Sequence, residues 1–210
     1  MSTRYPENKS TKAAENKPIL AFPVAKFFLY GFLVSITVLF ISLTAAYLLS
    51  KPTWQWTVFR FPKAFFWSTI VLALSSYTMY KSKKSFERSN ALEFVKMLQY
   101  TFGLSAAFVI GQLIGWYSLY AKGIYLAGKP DGSYLYLISG LHVLHVLVGL
   151  WVLLSFYRQA KSLLNKEQPE RLLFFLDPSK EITLDMINTY WHFIDLLWAY
   201  LLLFFIFNHL

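Results

Sequence analysis

Long apolar runs separated by short polar segments dominate this chain of 210 residues. A bilayer core of roughly 30 Å is crossed by about 20 apolar residues in an α-helix. Five stretches reach that length: residues 24–49, 62–80, 98–120, 133–157 and 186–208. Because the loops between them are too short for a separate soluble domain, the pattern predicts an all-α, polytopic membrane protein. Residues 24–210 would form a single five-transmembrane-helix bundle.

Residues 1–23 form a different kind of segment, which is polar and rich in lysine and proline. The segment has no apolar core of the length found in a secretory signal peptide. We therefore expect a basic N-terminal tail that is disordered or lies on the membrane surface, and we expect the first span to direct insertion.

The composition agrees with a membrane protein, since 56% of the residues are hydrophobic and 20% are aromatic. The chain contains no cysteine. It therefore cannot form disulfides or cysteine-ligated zinc, iron–sulfur or copper sites.

The net charge of +9 is explained by topology. All 20 Lys and Arg residues fall in the predicted tails and loops, with 15 on one side of the membrane and 5 on the other. The positive-inside rule then predicts a cytoplasmic N-terminus and a C-terminus outside. Because these residues follow the order of the loops and form no domain of their own, nucleic-acid binding is not expected.

The last predicted span contains ionisable side chains within its apolar run. An ionisable residue at membrane depth is costly, and it marks a functional or helix-packing site. His192, Asp195 and Trp198 follow one another at intervals of three residues, so they share one face of the helix. We expect something outside this helix to meet that face. Asp185 lies at the cytoplasmic mouth of the same span.

Polar and small residues also occur in the middle spans. Gln112 lies in the centre of the third span, where a glutamine typically makes an interhelical hydrogen bond. The glycines of that span predict close packing of helices, and they are Gly103, Gly111 and Gly115. In the second span, the Ser75–Ser76 pair predicts a hydrogen-bonding or packing surface.

Three histidines within the spans raise the question of haem or metal binding. His142 and His145 share one face of the fourth span, and neutral imidazoles are good ligands. A bis-histidine haem needs ligands at similar depth on two helices. The predicted topology places His145 near mid-membrane and His192 about two turns from the cytoplasm, and the spacing matches no zinc signature.

Hydrogen bonding between helices or to a partner is therefore the main hypothesis for the histidines, and an interhelical lock is the main hypothesis for Asp195. The alternatives are a haem or metal site for the histidines and, for Asp195, a direct role in carrying protons or a contact with a partner protein or lipid headgroup.

Two motifs together resemble one family. Tyr190–Trp198 reads Tyr-Trp-His-Phe-Ile-Asp-Leu-Leu-Trp. This closely resembles the Tyr-Trp-His-Phe-Val-Asp-Val-Val-Trp signature of subunit III of the haem–copper oxidases, which are cytochrome c oxidase and quinol oxidase. Ser139–Gly149 resembles that family's Thr-Gly-x-His-Gly-x-His-Val-x-x-Gly. Asp185, Gln112 and Trp116 add weaker similarities, and the resemblance covers about residues 26–208.

The resemblance also has departures. Longer members of the family have seven spans, and this chain is similar to the five-span form that lacks the first two. In the long form those two helices and the other five enclose a lipid-filled cleft, which here must be absent or completed by another subunit. Ile36 stands where several members have an acidic residue, and Val143 replaces the inner glycine of the double-histidine motif.

The resemblance implies a non-catalytic subunit III of a proton-pumping terminal respiratory oxidase, which reduces oxygen to water in a bacterial inner membrane. Such a subunit has no active site and binds no cofactor of its own, because the haems and copper lie in subunits I and II. It stabilises subunit I, its main contact, binds phospholipids and supports proton uptake. A larger respiratory supercomplex is a further candidate partner.

By the same resemblance, nine residues have structural or interface roles and none is catalytic or metal-binding. They are His142, His145, Gln112, Tyr190, Trp191, His192, Asp195, Trp198 and Asp185.

Three rival hypotheses stay open. The accessory subunit of a nitric oxide reductase shares this fold and these motifs. A haem b membrane anchor predicts a Soret band that is lost in His145→Ala. A small transporter predicts broken helices and inverted repeats, and neither is visible in the sequence.

Overall fold

The computed structural model describes residues 21–51 and 62–209, with side chains over 24–51 and 62–208. These ranges contain six α-helices: α1 (Ala21–Ser50), α2 (Lys63–Glu87), α3 (Ala91–Tyr120), α4 (Pro130–Ser162), α5 (Gln168–Leu176) and α6 (Pro178–His209). A single 3₁₀ turn, Leu163–Asn165, follows α4. The tail predicted over residues 1–23 lies outside the described residues, except for the last three, which begin α1.

The prediction of an all-α membrane protein is confirmed, whereas the count of five spans is not. Among the described residues, four helices are long and apolar enough to cross a bilayer, over Val24–Ser50, Ala91–Tyr120, Pro130–Asn165 and Pro178–Asn208. Helix α2 coincides with the predicted second span but is not among the four. Its polar residues are the reason, and several of them are serines on the buried face of the helix.

Hydropathy underestimates the length of the helices. Helix α3 starts seven residues before the predicted span, because Asn90 caps it with a bond from the Glu93 N–H to the Asn90 Oδ1. Helix α6 starts at Pro178, eight residues before the predicted span. A hydropathy pattern marks only the apolar part of a helix, so polar turns that continue beyond that part are missed.

Helix α5 is an element that the sequence analysis did not predict. Its nine residues lie in the polar connection between α4 and α6. Phe175 is buried, with its ring centroid 5.1 Å from that of Phe86 and 5.9 Å from that of Phe94. These aromatic contacts hold α5 against the ends of α2 and α3.

Helix α6 is central, because it packs against α1, α2, α4 and α5. Helices α2 and α3 form a tight antiparallel hairpin whose turn includes Ser89, at a φ of 54°. Helices α1 and α6 run parallel, as shown by a hydrogen bond of 2.8 Å between the Thr44 and Tyr200 hydroxyls and by an ion pair nearer their first turns.

The glycines of α3 have different environments. A Cβ atom on Gly111 would lie 2.8 Å from the Ser68 Cβ, and one on Gly115 would lie 2.7 Å from the Phe65 ring. Both positions require the absence of a side chain where α2 and α3 meet. The prediction of close packing is wrong for Gly103, because a Cβ there would have nothing within 4 Å and the residue lies on the exposed side of the helix.

Cations are concentrated at one end of the bundle, where α1 and α6 begin and α2 and α4 end. We call this the basic end. Its described cations are Lys26, Lys81, Lys83, Lys84, Arg88, Lys96, Arg158, Lys161, Lys166, Arg171 and Lys180. The opposite end has Lys51, Lys63, Lys122 and Lys129 among the described residues. The charge asymmetry of the sequence is therefore also an asymmetry of the folded bundle.

Candidate interhelical polar network

The aromatic face of α6 meets α2 of the same chain. Trp198 donates from its indole Nε1 to the Thr69 Oγ1 at 2.8 Å, and Trp191 donates to the Ser75 Oγ at 3.1 Å. A buried indole N–H needs an acceptor, and hydroxyl groups on α2 supply it in both cases. The expected partner of this face is therefore a neighbouring helix of the same bundle.

The ionisable residues of that face, His192 and Asp195, also meet α2. The Ser76 Oγ lies 2.7 Å from the His192 Nδ1, and the Ser76 hydroxyl is also close to the Asp195 carboxyl. Leu72 of α2 and Val146 of α4 line the narrow space beside Asp195. Asp195 therefore faces the interior of the bundle, between α2 and α4.

A second layer continues the network into α3. The Ser75 Oγ is 2.8 Å from the Ser105 Oγ, and the Thr78 Oγ1 is 2.8 Å from the Thr101 Oγ1. Sequence reasoning did not single out Thr101 and Ser105. Their spacing of four residues could have indicated them, because it places two small hydroxyl side chains on one face of α3.

Gln112 makes the interhelical bond that its position in the sequence predicts. Its side chain is fully buried, and its Nε2 donates to the Ser68 Oγ on α2 at 3.0 Å. Next to it, Trp116 donates from its Nε1 to the Ser139 Oγ on α4 at 3.0 Å. Helix α3 is thus hydrogen-bonded to both of its neighbours.

His142 and His145 occupy different surroundings. His142 is fully buried, with its ring centroid 5.0 Å from that of Trp198 and 5.8 Å from that of Phe108. The Nδ1 of His145 lies 2.7 Å from the Leu141 carbonyl oxygen, one turn earlier on α4.

Among the described residues, neither imidazole makes a hydrogen bond to another helix. Hydrogen bonding to a partner protein, the other part of the hypothesis, stays a prediction. Aromatic rings surround His142, whereas a carbonyl of its own helix is within reach of His145. The hydrogen bond that joins α4 and α6 here involves the backbone of His145 and not its imidazole. The Tyr190 hydroxyl donates to the His145 carbonyl oxygen at 3.0 Å.

The expected mismatch in depth between His145 and His192 is also wrong. Across the antiparallel α4–α6 pair, His142 lies beside Trp198, and the His145 carbonyl lies beside Tyr190. His145 is therefore close to the level of His192, because depth counted from predicted span ends misses the true register of the two helices.

The two imidazoles nevertheless face different neighbours. The ring centroid of His145 is 5.7 Å from that of Phe40 on α1, whereas His192 contacts Ser76 on α2. Within the part of the chain that the structure describes, no group of three or more His, Cys, Asp or Glu side chains could hold a metal ion.

Asp185 joins three helices at the basic end. Its Oδ2 lies 2.7 Å from the Lys26 Nζ of α1, and its Oδ1 lies 2.7 Å from the Lys83 Nζ of α2. All three side chains are partly exposed. Asp185 therefore links α6 to α1 and α2 through two ion pairs. We call this arrangement the ion lock.

Asp185→Asn is expected to lower the free energy of unfolding by about 1 kcal/mol, because each partly exposed ion pair is worth about 0.5 kcal/mol and two are lost. Thermal unfolding in detergent at low and high NaCl would measure it, and the loss should shrink as salt screens the native pairs. Glu167→Gln, an exposed carboxylate at the start of α5, is the control. An equal loss in both variants would contradict the lock.

The sequence of this helical bundle matches a known family. The sequence model described as "Cytochrome c oxidase subunit III" matches residues 21–209, a range that includes all six helices and all nine candidate residues. The chain belongs to the cytochrome c oxidase subunit III family of the haem–copper oxidases.

Individual relatives have the same description. A probable cytochrome c oxidase subunit 3 from Mycobacterium leprae is 28% identical over 130 residues, which are 62% of this chain and 59% of the relative. One from Rickettsia prowazekii is 28% identical over 142 residues, 66% of this chain and 46% of the relative. Cytochrome c oxidase subunit 3 of Corynebacterium diphtheriae is 27% identical over 131 residues, 62% of this chain and 58% of the relative. The matches therefore span about half of the length of these relatives.

Proposed function

We propose that this chain is a non-catalytic subunit III of a terminal respiratory oxidase that reduces oxygen to water and pumps protons. The observation that carries the proposal is the family match over all six helices, including the α6 network. Several relatives are named as cytochrome c oxidase subunits, which favours an oxidase over a nitric oxide reductase. In this proposal the nine candidate residues have structural or interface roles.

The proposed topology has five membrane spans, with the N-terminus in the cytoplasm and the C-terminus outside a bacterial inner membrane. Helix α2 supplies the fifth span. Its 25 residues reach about 37 Å at about 1.5 Å per residue. It packs between α3 and α6, which are both long and apolar enough to cross a bilayer. Its outward residues include Phe66, Trp67, Ile70 and Leu74, which suit a lipid environment. The basic end faces the cytoplasm.

The proposed partners are subunit I, as the main contact, and subunit II. These subunits would hold the haems and copper, and this chain would stabilise subunit I and support proton uptake. A larger respiratory supercomplex is a further candidate.

Phospholipid binding is supported by an apolar groove of about 270 Å³ between α1, α4 and α6. Leu29, Phe32, Val148 and Met186 are among its lining residues, and Lys26 lies one turn from Leu29 towards the basic end. Such a groove fits an acyl chain, with a cation near the headgroup level.

Isolation of the tagged chain from native membranes in mild detergent tests the proposal. We expect a haem-bearing large subunit and a copper-binding subunit to co-purify, with haem absorption and phospholipid phosphorus in the eluate. Co-purification with nitric oxide reductase subunits would support the accessory alternative. A colourless eluate without partners would contradict the proposal, and a Soret band that stays with the isolated chain and is lost in His145→Ala would support a haem anchor.

A further inference from the structure

Four polar side chains form a line along α6, starting at the basic end. Asp185, Asn188, His192 and Asp195 follow one another at spacings of three, four and three residues, which place them on one helical face. Lys83 and Ser76 of α2 contact the first and third of these residues, so the line lies along the α2–α6 contact. It extends about 15 Å, at about 1.5 Å per residue.

Two members of this line have buried acceptors without partners. Among the described residues, neither the Asn188 Oδ1 nor the Asp195 Oδ2 has a hydrogen-bond partner, and both atoms are shielded from the exterior of the chain. A buried polar atom without a partner calls for a specific explanation. Two such atoms on one face, on either side of His192, favour a transferable proton or a polar molecule between the helices over simple packing.

The groups that face Asp195 come from three helices. On its own helix the nearest titratable side chain is His192, and α2 brings the Ser76 hydroxyl together with Leu72. Helix α4 brings Val146. The charged side chains of this contact region stand at the basic end, where Lys26 and Lys83 both pair with Asp185.

None of the three ion pairs among the described residues includes Asp195. Its carboxylate is therefore not neutralised by a lysine or arginine in the described part of the chain, and a proton is the remaining means of neutralising it.

We propose that the α2–α6 contact is a proton-exchange path that connects water at the basic end with the Asp195 carboxylate. Asp185, Lys26 and Lys83 form a polar entrance to this path at the basic end. The Asn188 Oδ1 accepts hydrogen bonds from water that enters there. Starting as the Nδ1–H tautomer, His192 takes up a proton at Nε2 and releases its Nδ1 proton to the Ser76 hydroxyl oxygen. In the same step the Ser76 hydroxyl gives its own proton to the Asp195 carboxylate. The net change is one proton moved from water to Asp195, and no electron is transferred.

The path deepens the proposed function, because it gives the support of proton uptake a specific acceptor in this chain. It adds a proton-carrying role to the structural roles of His192 and Asp195. It rests on the proposed topology, in which the basic end faces the cytoplasm. The experiment uses the full chain alone in lipid nanodiscs, so its outcome does not depend on co-purification with oxidase subunits. Failure of the path and failure of the proposed function are therefore distinguishable.

The test is infrared spectroscopy of the carboxyl C=O stretch. Asp195→Asn identifies the band that belongs to Asp195. We expect this band to appear reversibly when the bulk pH is lowered and to shift promptly after transfer to D₂O. Asn188→Leu is expected to slow the D₂O shift by roughly 5- to 150-fold, because one buried hydrogen-bond partner is worth about 1–3 kcal/mol.

Ser76→Ala interrupts the path at its other end and is expected to slow the shift similarly, which covers the case in which Asn188→Leu does not fold. Thr189→Val is the matched control on the same helix, because its hydroxyl donates to the Asp185 carbonyl one turn earlier and does not join the α2–α6 contact, and its rate should stay native. A band that Asp195→Asn leaves unchanged, or native exchange rates in both Asn188→Leu and Ser76→Ala, would overturn the proposal.

Discussion

Trp198→Ala is expected to destabilise the bundle by about 3–5 kcal/mol, the range measured for buried large aromatic side chains. Trp198 is only 1% exposed, and its ring centroid lies 5.3 Å from that of Phe108 and 6.1 Å from that of Phe65. Truncation would open a cavity where α2, α3 and α6 meet, and Thr69 would lose its indole donor. Because lipid is as apolar as a leucine side chain, lost packing contacts account for most of the expected effect.

Thermal unfolding in detergent would measure this loss, with Trp151→Ala as the matched control. Trp151 is 72% exposed on the outer side of α4, and its removal should change stability by less than about 0.5 kcal/mol. Trp198→Phe keeps much of the ring volume but removes the hydrogen bond to Thr69. Its loss of stability should therefore lie between those of the other two variants, at about 1 kcal/mol for the lost hydrogen bond. If Trp198→Ala and Trp151→Ala cost the same, Trp198 would not be a packing centre.

Gly111→Ala is expected to destabilise the α2–α3 hairpin by about 1–3 kcal/mol, the cost of overpacking a close contact. The new Cβ would lie 2.8 Å from the Ser68 Cβ, and both atoms are attached directly to backbone. No rotamer change can relieve that contact, so the helices must move apart. This movement would also stretch the bond between the Gln112 Nε2 and the Ser68 Oγ.

Gly103→Ala on the same helix is a closely matched control. A Cβ at Gly103 would have nothing within 4 Å, so the substitution should be neutral or stabilise the helix by up to about 1 kcal/mol. The midpoints of thermal unfolding of the two variants should therefore move in opposite directions, or only the midpoint of Gly111→Ala should fall. Equal shifts would show that helix propensity, and not the contact with Ser68, decides the effect at Gly111.

The long helices could be predicted from the sequence, because apolar runs of sufficient length have few alternatives in a membrane protein. The polar turns at the helix ends could not be predicted in the same way. Hydropathy does not register a cap such as that of Asn90 on Glu93, nor the aromatic contacts of Phe175 that hold α5 in place. Helix α2 shows that hydropathy can also fail within a helix. Its serines lower its mean hydropathy, although they face the interior of the bundle.

The face of α6 was also predictable, because helical periodicity places His192, Asp195 and Trp198 together whatever surrounds them. Periodicity says nothing about which helix meets that face. The tertiary structure decided that Ser76 and Thr69 of α2 do so, and that His142 lies among aromatic rings.

The sequence by itself determined the class of the protein, the long helices, the basic asymmetry and the family resemblance. All of these depend on residue order along the chain. The tertiary structure alone decided the register between helices, and with it the level of His145 beside Tyr190, the ion lock at Asp185 and the line of polar side chains between α2 and α6. The physical reason is that register follows from where one helix can approach another closely, as α2 does at Gly111 and as the rings of Tyr190 and Trp191 do at Gly149. That approach depends on side chains distant in sequence.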